Sequence, residues 1–238
     1  MNIFLVGIKR SGNHAISNWL YPMLDKYLHI NDMKLKNMKN YNKFLNKRYI
    51  TNKSNIKFKN YNFTYFSKDS NLLISFEDQY LDKLANSINE FNNSKSVILL
   101  IRNPFNMLAS IYKLSFNSLF ENYKNRLHFF KSLWKSYAKE FLGITNFFNN
   151  KILILYDKWV QNDMYRKEII NKLGLVFNDC NKNTVSGYGH SSFDRKVKDA
   201  SKLNVLTRYE YFNNDPFFIN IVLEDIELYN LWNDIISK

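Results

Sequence analysis

Ile3-Phe4-Leu5-Val6-Gly7-Ile8-Lys9-Arg10-Ser11-Gly12-Asn13-His14 reads as a buried strand that breaks into a polar, glycine-punctuated loop. Four apolar residues ending at a glycine suit a parallel strand covered on both faces. From Asn13 to about Tyr27 the residues Ala15, Ile16, Trp19, Leu20 and Leu24 recur at helical spacing, so a helix is expected, with Asn13 as its N-cap. Segment 7–14 then lies at the carboxyl end of a strand, where open parallel sheets bind ligands. Successive backbone N–H groups and a helix N-terminus make a site for anionic oxygens there. Gly7 and Gly12 let the backbone turn and approach closely, and Arg10 adds a fixed positive charge.

The spacing of Gly7 and Gly12 matches a nucleoside-triphosphatase P-loop, but Asn13 and His14 stand where that loop carries Lys and Ser or Thr. Both the phosphate-contacting lysine and the magnesium-binding hydroxyl are missing. This disfavours a magnesium-dependent kinase or ATPase, and a nucleotide or nucleoside kinase on a related scaffold is kept as an alternative. The plain alternative is a polar strand–helix turn.

Outward from this loop the chain alternates strands and helices. Leu72–Phe76 is a second strand, followed by a helix around 79–92. Ser96–Ile101 is the clearest buried strand. A helix opens at Pro104, a residue tolerated in a first turn, and runs to about Asn117. An amphipathic stretch covers 122–149. Lys151–Tyr156 is a fourth strand, and its helix runs to about Leu173, where Gly174 can end it. A loop over 181–200 precedes helices expected at 200–212 and 216–236. The pattern defines an α/β fold of three layers: a mostly parallel central sheet with helices on both faces, P-loop NTPase-like. One domain over residues 1–238 is expected, with an Asn/Lys/Tyr-rich insertion at 31–70.

With 45% hydrophobic and 17% aromatic residues the chain is a folding sequence. Its net charge of +13 attracts anions such as nucleotides, nucleic acid, acidic glycans or a membrane surface. An AT-biased genome would enrich Asn, Lys, Ile and Tyr in the same way, so charge alone names no ligand. The single cysteine, Cys180, precludes an internal disulfide and suggests a reducing compartment. His14, His29, His128 and His190 are scattered, so no metal is expected. With the first strand starting almost at Met1 and no membrane-length apolar run, a cytoplasmic location is expected.

A second motif follows the third strand: Arg102-Asn103-Pro104-Phe105-Asn106-Met107-Leu108-Ala109-Ser110. An arginine at a strand end can grip a phosphate through its fork, and a serine hydroxyl further on adds a donor. Taken alone, Arg102 could instead cap a carbonyl and Ser110 lie on a helix surface.

Together the two motifs resemble the sulfotransferase family, whose donor is 3′-phosphoadenosine 5′-phosphosulfate. The family's first loop, Lys/Arg-Ser-Gly-Thr-Thr, corresponds to Arg10-Ser11-Gly12-Asn13-His14. Its Arg-Asn-Pro-x5-Ser element, which binds the 3′-phosphate, corresponds to Arg102-Asn103-Pro104 and Ser110. Tyr156-Asp157 resembles an element whose aromatic hydroxyl touches the nucleotide. Ser186 to Arg195 takes the place of a late loop over the adenosine and 3′-phosphate, with a looser match. The resemblance spans residues 1 to about 195, without 31–70. It departs at Asn13 and His14, which replace a hydroxyl pair, and at Ala15, where cytosolic members often carry a Trp. Trp19, a turn later, reads as core. These departures are closer to bacterial, viral or carbohydrate-type members than to drug-metabolising ones.

The resemblance implies transfer of a sulfuryl group to a hydroxyl or amine acceptor, with an anionic carbohydrate suiting the charge. The donor site would comprise Lys9, Arg10, Ser11, Gly12, Asn13, His14, Arg102, Ser110, Tyr156 and Arg195. Arg10 would stabilise the leaving group with the N–H groups of 11–14, and Lys9 is its substitute or a surface charge. Glu77, at the end of the second strand, matches the position of the family's general base. Glu77 or Asp78 could equally cap the next helix, and His14 is the second candidate base. Arg208 has no local signal that assigns it. The contrasting non-enzymatic reading, a basic nucleic-acid binder, is favoured by charge and aromatics but leaves both motifs unexplained.

Overall fold

The computed structural model describes residues 1–25, 27–35, 56–58, 61–63, 71–89, 95–116, 123–185, 191–193, 196–197 and 199–238. Strands β1 (Asn2–Gly7), β2 (Tyr27–Ile30), β5 (Asn71–Glu77), β6 (Lys95–Ile101) and β7 (Lys151–Leu155) form one parallel sheet in the order β2-β5-β1-β6-β7. β3 (Ile56–Phe58) and β4 (Tyr61–Phe63) pair antiparallel in a separate ribbon. Most of the 31–70 insertion lies outside the described residues.

Alternation along β1 explains its continuous apolar run. Phe4 and Val6 enter one core with Val97, Leu99 and Ile101, while Ile3 and Leu5 enter a second with Ile98 and Leu100. Both faces of the central strand are dry, so every position must be apolar. Each such fully buried side chain contributes about 1.5–3 kcal/mol. Helices α1 (Asn13–Leu20), α5 (Tyr156–Gln161) and α6 (Asp163–Leu173) cover the second face, where Trp19 and Trp159 meet edge to face at 5.6 Å. Helices α2 (Leu81–Asn89), α3 (Pro104–Phe116), α4 (Tyr123–Leu142) and α7 (Ile226–Ile236) cover the first. The three-layer α/β architecture is therefore as the sequence implied, and Trp19 is core.

Several boundaries differ. The helix expected over 13–27 ends at Leu20 and passes through a 3₁₀ turn, Tyr21–Met23, containing Pro22. Tyr27–Ile30 is then an edge strand beside β5. The helix around 79–92 is α2, Leu81–Asn89. The 122–149 stretch is helical only to Leu142, and Gly143 turns with φ 80°. Tyr156 opens α5 instead of closing β7. Residues 200–212 form two 3₁₀ turns, Ala200–Lys202 and Arg208–Phe212, and the 216–236 segment breaks into short turns before α7. Gly174 ends α6 in the left-handed conformation, φ 68°. Among the described residues no helix is long and apolar enough to cross a membrane.

Candidate active site

β1 stands at the centre of the sheet, so the loop after it lies between the carboxyl ends of β5 and β6. The loop holds its shape by internal bonds. Ser11 N–H donates to Ile8 O (3.0 Å), and Asn13 Nδ2 donates to the same carbonyl (2.9 Å). Asn13 is therefore not the N-cap. That position falls to Gly12, at φ 103°, with no side-chain cap. A Cβ on Gly7 would stand 2.1 Å from Asn13 Oδ1, so the folded-back amide requires a glycine there. A Cβ on Gly12 would stand 2.3 Å from the Tyr156 ring, on a backbone that side chains rarely adopt. Gly12→Ala is expected to displace the ring or the loop and to destabilise the fold by about 1–3 kcal/mol. Calorimetry would read this loss.

A cleft of about 690 Å³, partly open to solvent, runs over the loop. Its lining includes Arg10, Gly12, Asn13, His14, Glu77, Arg102, Tyr156, Ser191 and Arg208. The first-turn N–H groups of α1 have no intrahelical acceptor and open towards this region. Ser11 points elsewhere: its buried hydroxyl donates to Met107 Sδ at 3.4 Å. Lys9 is half-exposed and held by Asp78, with Nζ 3.1 Å from the carboxylate. Ser11 and Lys9 thus support the loop and are not on the cleft lining.

Arg102, at the end of β6, is buried and makes the contact that the plain alternative foresaw. Nη1 donates to Arg10 O (2.8 Å) and Nη2 to Val205 O, while its buried Nε has no partner among the described residues. Its guanidinium lies 5.0 Å from the Tyr156 ring centre. Trp134 Nε1 donates to Arg102 O, and Asp157 Oδ2 accepts from Asn103 N–H, so neighbours on α4 and α5 fix this strand end. Asn103 Oδ1 accepts from Asn106 N–H and caps α3.

Ser110 is fully buried on α3 and is not a helix-surface residue. Its hydroxyl donates to Asn106 O (2.9 Å) and accepts from Arg208 Nη1 at 3.0 Å. Arg208 Nη2 donates to Ser191 Oγ, also at 3.0 Å, and its Nε donates to Asn204 O. Arg208 is the residue that sequence reasoning left unassigned. It shares the cleft wall with Arg102 and Ser191, and its guanidinium holds the hydroxyls of Ser191 and of the fully buried Ser110. Ser192 Oγ beside them is buried and has no partner among the described residues. Arg195 and the 186–190 segment lie outside the described residues.

Glu77 ends β5 directly beside Gly7, with 6% of its surface exposed. Burial is the main reason its carboxyl pKa is pushed up to about 7. Asp32 and Asp78 add to the rise, and Lys9 and a hydrogen bond from Asn13 oppose it. Glu77 is thus half-ionised near neutral pH and lines the cleft, which a helix cap would not require. His14 lies on the same lining. Burial and the Arg10 charge hold its pKa below the usual histidine value, with Asp32 opposing, so a neutral imidazole predominates at pH 7. Below it, Tyr21 Oη and His29 Nδ1 are 2.6 Å apart.

These features combine a strand–helix loop turned at Gly12, two buried arginines near buried hydroxyls, and a carboxylate of raised pKa. No protein-family model matches the sequence, and no curated protein does. Among solved structures the chain is similar to the sulfotransferase domain of the Synechococcus PCC 7002 olefin synthase, at TM-score 0.57 and 15% identity, covering 93% of each chain. It is similar to mouse sulfotransferase SULT7A1, solved with PAP, at TM-score 0.54 and 13% identity, covering 98% of this chain and 88% of that one. The sulfotransferase domain of the curacin biosynthetic pathway matches at TM-score 0.51 and 14% identity, over 98% and 96%. The chain has the fold of the sulfotransferases.

Proposed function

We propose that this chain is a sulfotransferase, moving a sulfuryl group from 3′-phosphoadenosine 5′-phosphosulfate to a hydroxyl or amine acceptor. The observation that carries the reading is one cleft lined by Arg102, Arg208 and Ser191 together with Arg10, Gly12 and Glu77, with the fully buried Ser110 bonded to Arg208. A nucleotide with anionic groups at both ends of its ribose meets both halves of such a cleft. Arg102 Nε and Ser192 Oγ, which have no partner among the described residues, fit a further anionic oxygen there. Tyr156, packed on Gly12 and Arg102, would border the nucleotide.

In the reaction Glu77 accepts the proton of the acceptor O–H or N–H as that atom bonds to sulfur. The sulfur–oxygen bond to the 5′-phosphate breaks, leaving adenosine 3′,5′-bisphosphate, and the Glu77 proton passes to solvent. Arg10 and the first-turn amides of α1 offset charge on the departing phosphate oxygen. The protein's work is positioning and charge stabilisation, as in phosphoryl transfer. The net charge of +13 favours an anionic acceptor, an acidic carbohydrate among them.

Parallel calorimetric titrations with adenosine 3′,5′-bisphosphate, ATP–magnesium and a short oligonucleotide test the reading. Preference for the bisphosphate is expected. Binding of only ATP–magnesium would point to a kinase, and binding of only the oligonucleotide to a nucleic-acid binder; either result sinks the proposal.

A further inference from the structure

Asp78 follows Glu77 and adopts the left-handed conformation, φ 58°. Non-glycine residues are uncommon there, and aspartate and asparagine tolerate it best. A turn alone would need no more than this backbone. Asp78 does more. Its Oδ1 accepts from Lys9 N–H at 2.8 Å, and its Oδ2 lies 3.1 Å from Lys9 Nζ. Its own N–H donates to Gly7 O at 3.3 Å. The β1–β5 ladder stops at Gly7 and Glu77, so these contacts extend the tie one step past the sheet and into the donor loop.

Asp78 is itself braced from behind. Gln79 Nε2 donates to Glu77 O (2.7 Å), and the buried Tyr137 hydroxyl donates to Gln79 O (3.0 Å). The groups that act on the Glu77 carboxylate come from three places: Asp32 after β2, Asp78 beside it, and Lys9 and Asn13 from the donor loop. Lys9, although on the donor loop, spends its ammonium on Asp78 at the base side. In-line transfer needs donor and base held in register, and misplacement by about 1 Å can lower rate about 100-fold.

We propose that Asp78 is a positioning residue that locks the donor loop to the strand end bearing Glu77, so that donor and base meet the acceptor in fixed geometry. This rests on the sulfuryl-transfer reading. Asp78 touches neither substrate and acts through Lys9 and Glu77.

Two variants separate the tie from the turn. Asp78→Gly keeps the backbone conformation, which glycine adopts freely, and removes the carboxylate. Asp78→Asn keeps an oxygen for Lys9 N–H and also tolerates the conformation. Both are expected to melt within about 5 °C of the wild type. The Gly variant should lose about 10- to 100-fold in kcat, with bisphosphate affinity and acceptor KM changed less than about threefold. The Asn variant should recover kcat to within about threefold of wild type. Amide hydrogen exchange at Lys9 gives a readout independent of turnover: protection should fall in the Gly variant and persist in the Asn variant. A Gly variant with wild-type kcat and a protected Lys9 amide overturns the proposal, as does an Asn variant as impaired as the Gly one. Failure of the parent reading is visible separately, as a wild-type protein that does not bind the bisphosphate; the Lys9 exchange then still decides whether the tie exists.

Discussion

Glu77→Gln is expected to lower kcat by about 100- to 10,000-fold while bisphosphate affinity stays within about threefold of wild type. Glutamine matches the volume of glutamate, so the end of β5 keeps its packing, but an amide cannot take a proton from the acceptor. The wild-type pH profile should show why. A base works deprotonated, and the Glu77 pKa lies at about 7. The wild-type kcat/KM, which reports the free enzyme, should fall as pH drops through about 7 and level off above it, and the Gln variant should lack that limb. Stability should move in the opposite sense. The folded-state pKa lies above the ordinary value of 4.5, so the folded protein holds this proton more tightly than the unfolded chain. Glu77 therefore favours folding less as pH rises from about 4.5 to about 7. Glu77→Gln should match the wild-type unfolding free energy at the acid end and exceed it above pH 7, by on the order of 1–3 kcal/mol. Wild-type turnover in the variant would move the base role to His14.

Arg208→Ala is expected to weaken adenosine 3′,5′-bisphosphate binding by about 100-fold or more, corresponding to roughly 3 kcal/mol, while 5′-AMP binding changes less than about threefold. The prediction follows from what each arginine already holds. Arg102 gives Nη1 and Nη2 to the carbonyls of Arg10 and Val205. Arg208 gives its two to the hydroxyls of Ser110 and Ser191, which can turn towards a phosphate in a way carbonyls cannot. Arg208→Lys should fall between, because a point charge replaces a two-pronged donor. Equal losses for the bisphosphate and 5′-AMP would remove Arg208 from a 3′-phosphate role.

The layered α/β fold was legible because β1, β5 and β6 lie inside the sheet, where burial on both faces writes an unbroken apolar run, and because β7, at one edge with only Ile154 buried, still carries four apolar residues in a row. β2 was not. It is a four-residue edge strand, exposed at Tyr27 and buried only at Ile30, and its residues continue the apolar spacing of α1 past Pro22. Arg102 and Ser110 could be read together because one strand–loop–helix unit carries both. Arg208 could not, since its partner Ser110 lies 98 residues away and nothing in Leu206-Thr207-Arg208-Tyr209 announces a buried charge. The strand–loop–helix turn at 7–14 was legible, but the partner of each side chain in it was not: Asn13 serves Ile8, Ser11 faces Met107, and Lys9 belongs to Asp78. Such assignments depend on which way each side chain turns, and spacing along the chain does not encode that.

The central place of β1 also bears on how the chain acquires its structure. Phe4 pairs with Ile74 on one side and Val97 on the other. Of the five strands of this sheet β1 comes first along the chain and waits longest for its second partner, because its apolar residues are covered on both sides only once β6 has been made. Contacts so distant along the chain slow folding and leave a sticky segment open in the meantime. Refolding on a timescale slower than that of helical proteins of similar length, with β1 amides gaining exchange protection together with those of β5 and β6, is the kinetic signature this topology carries.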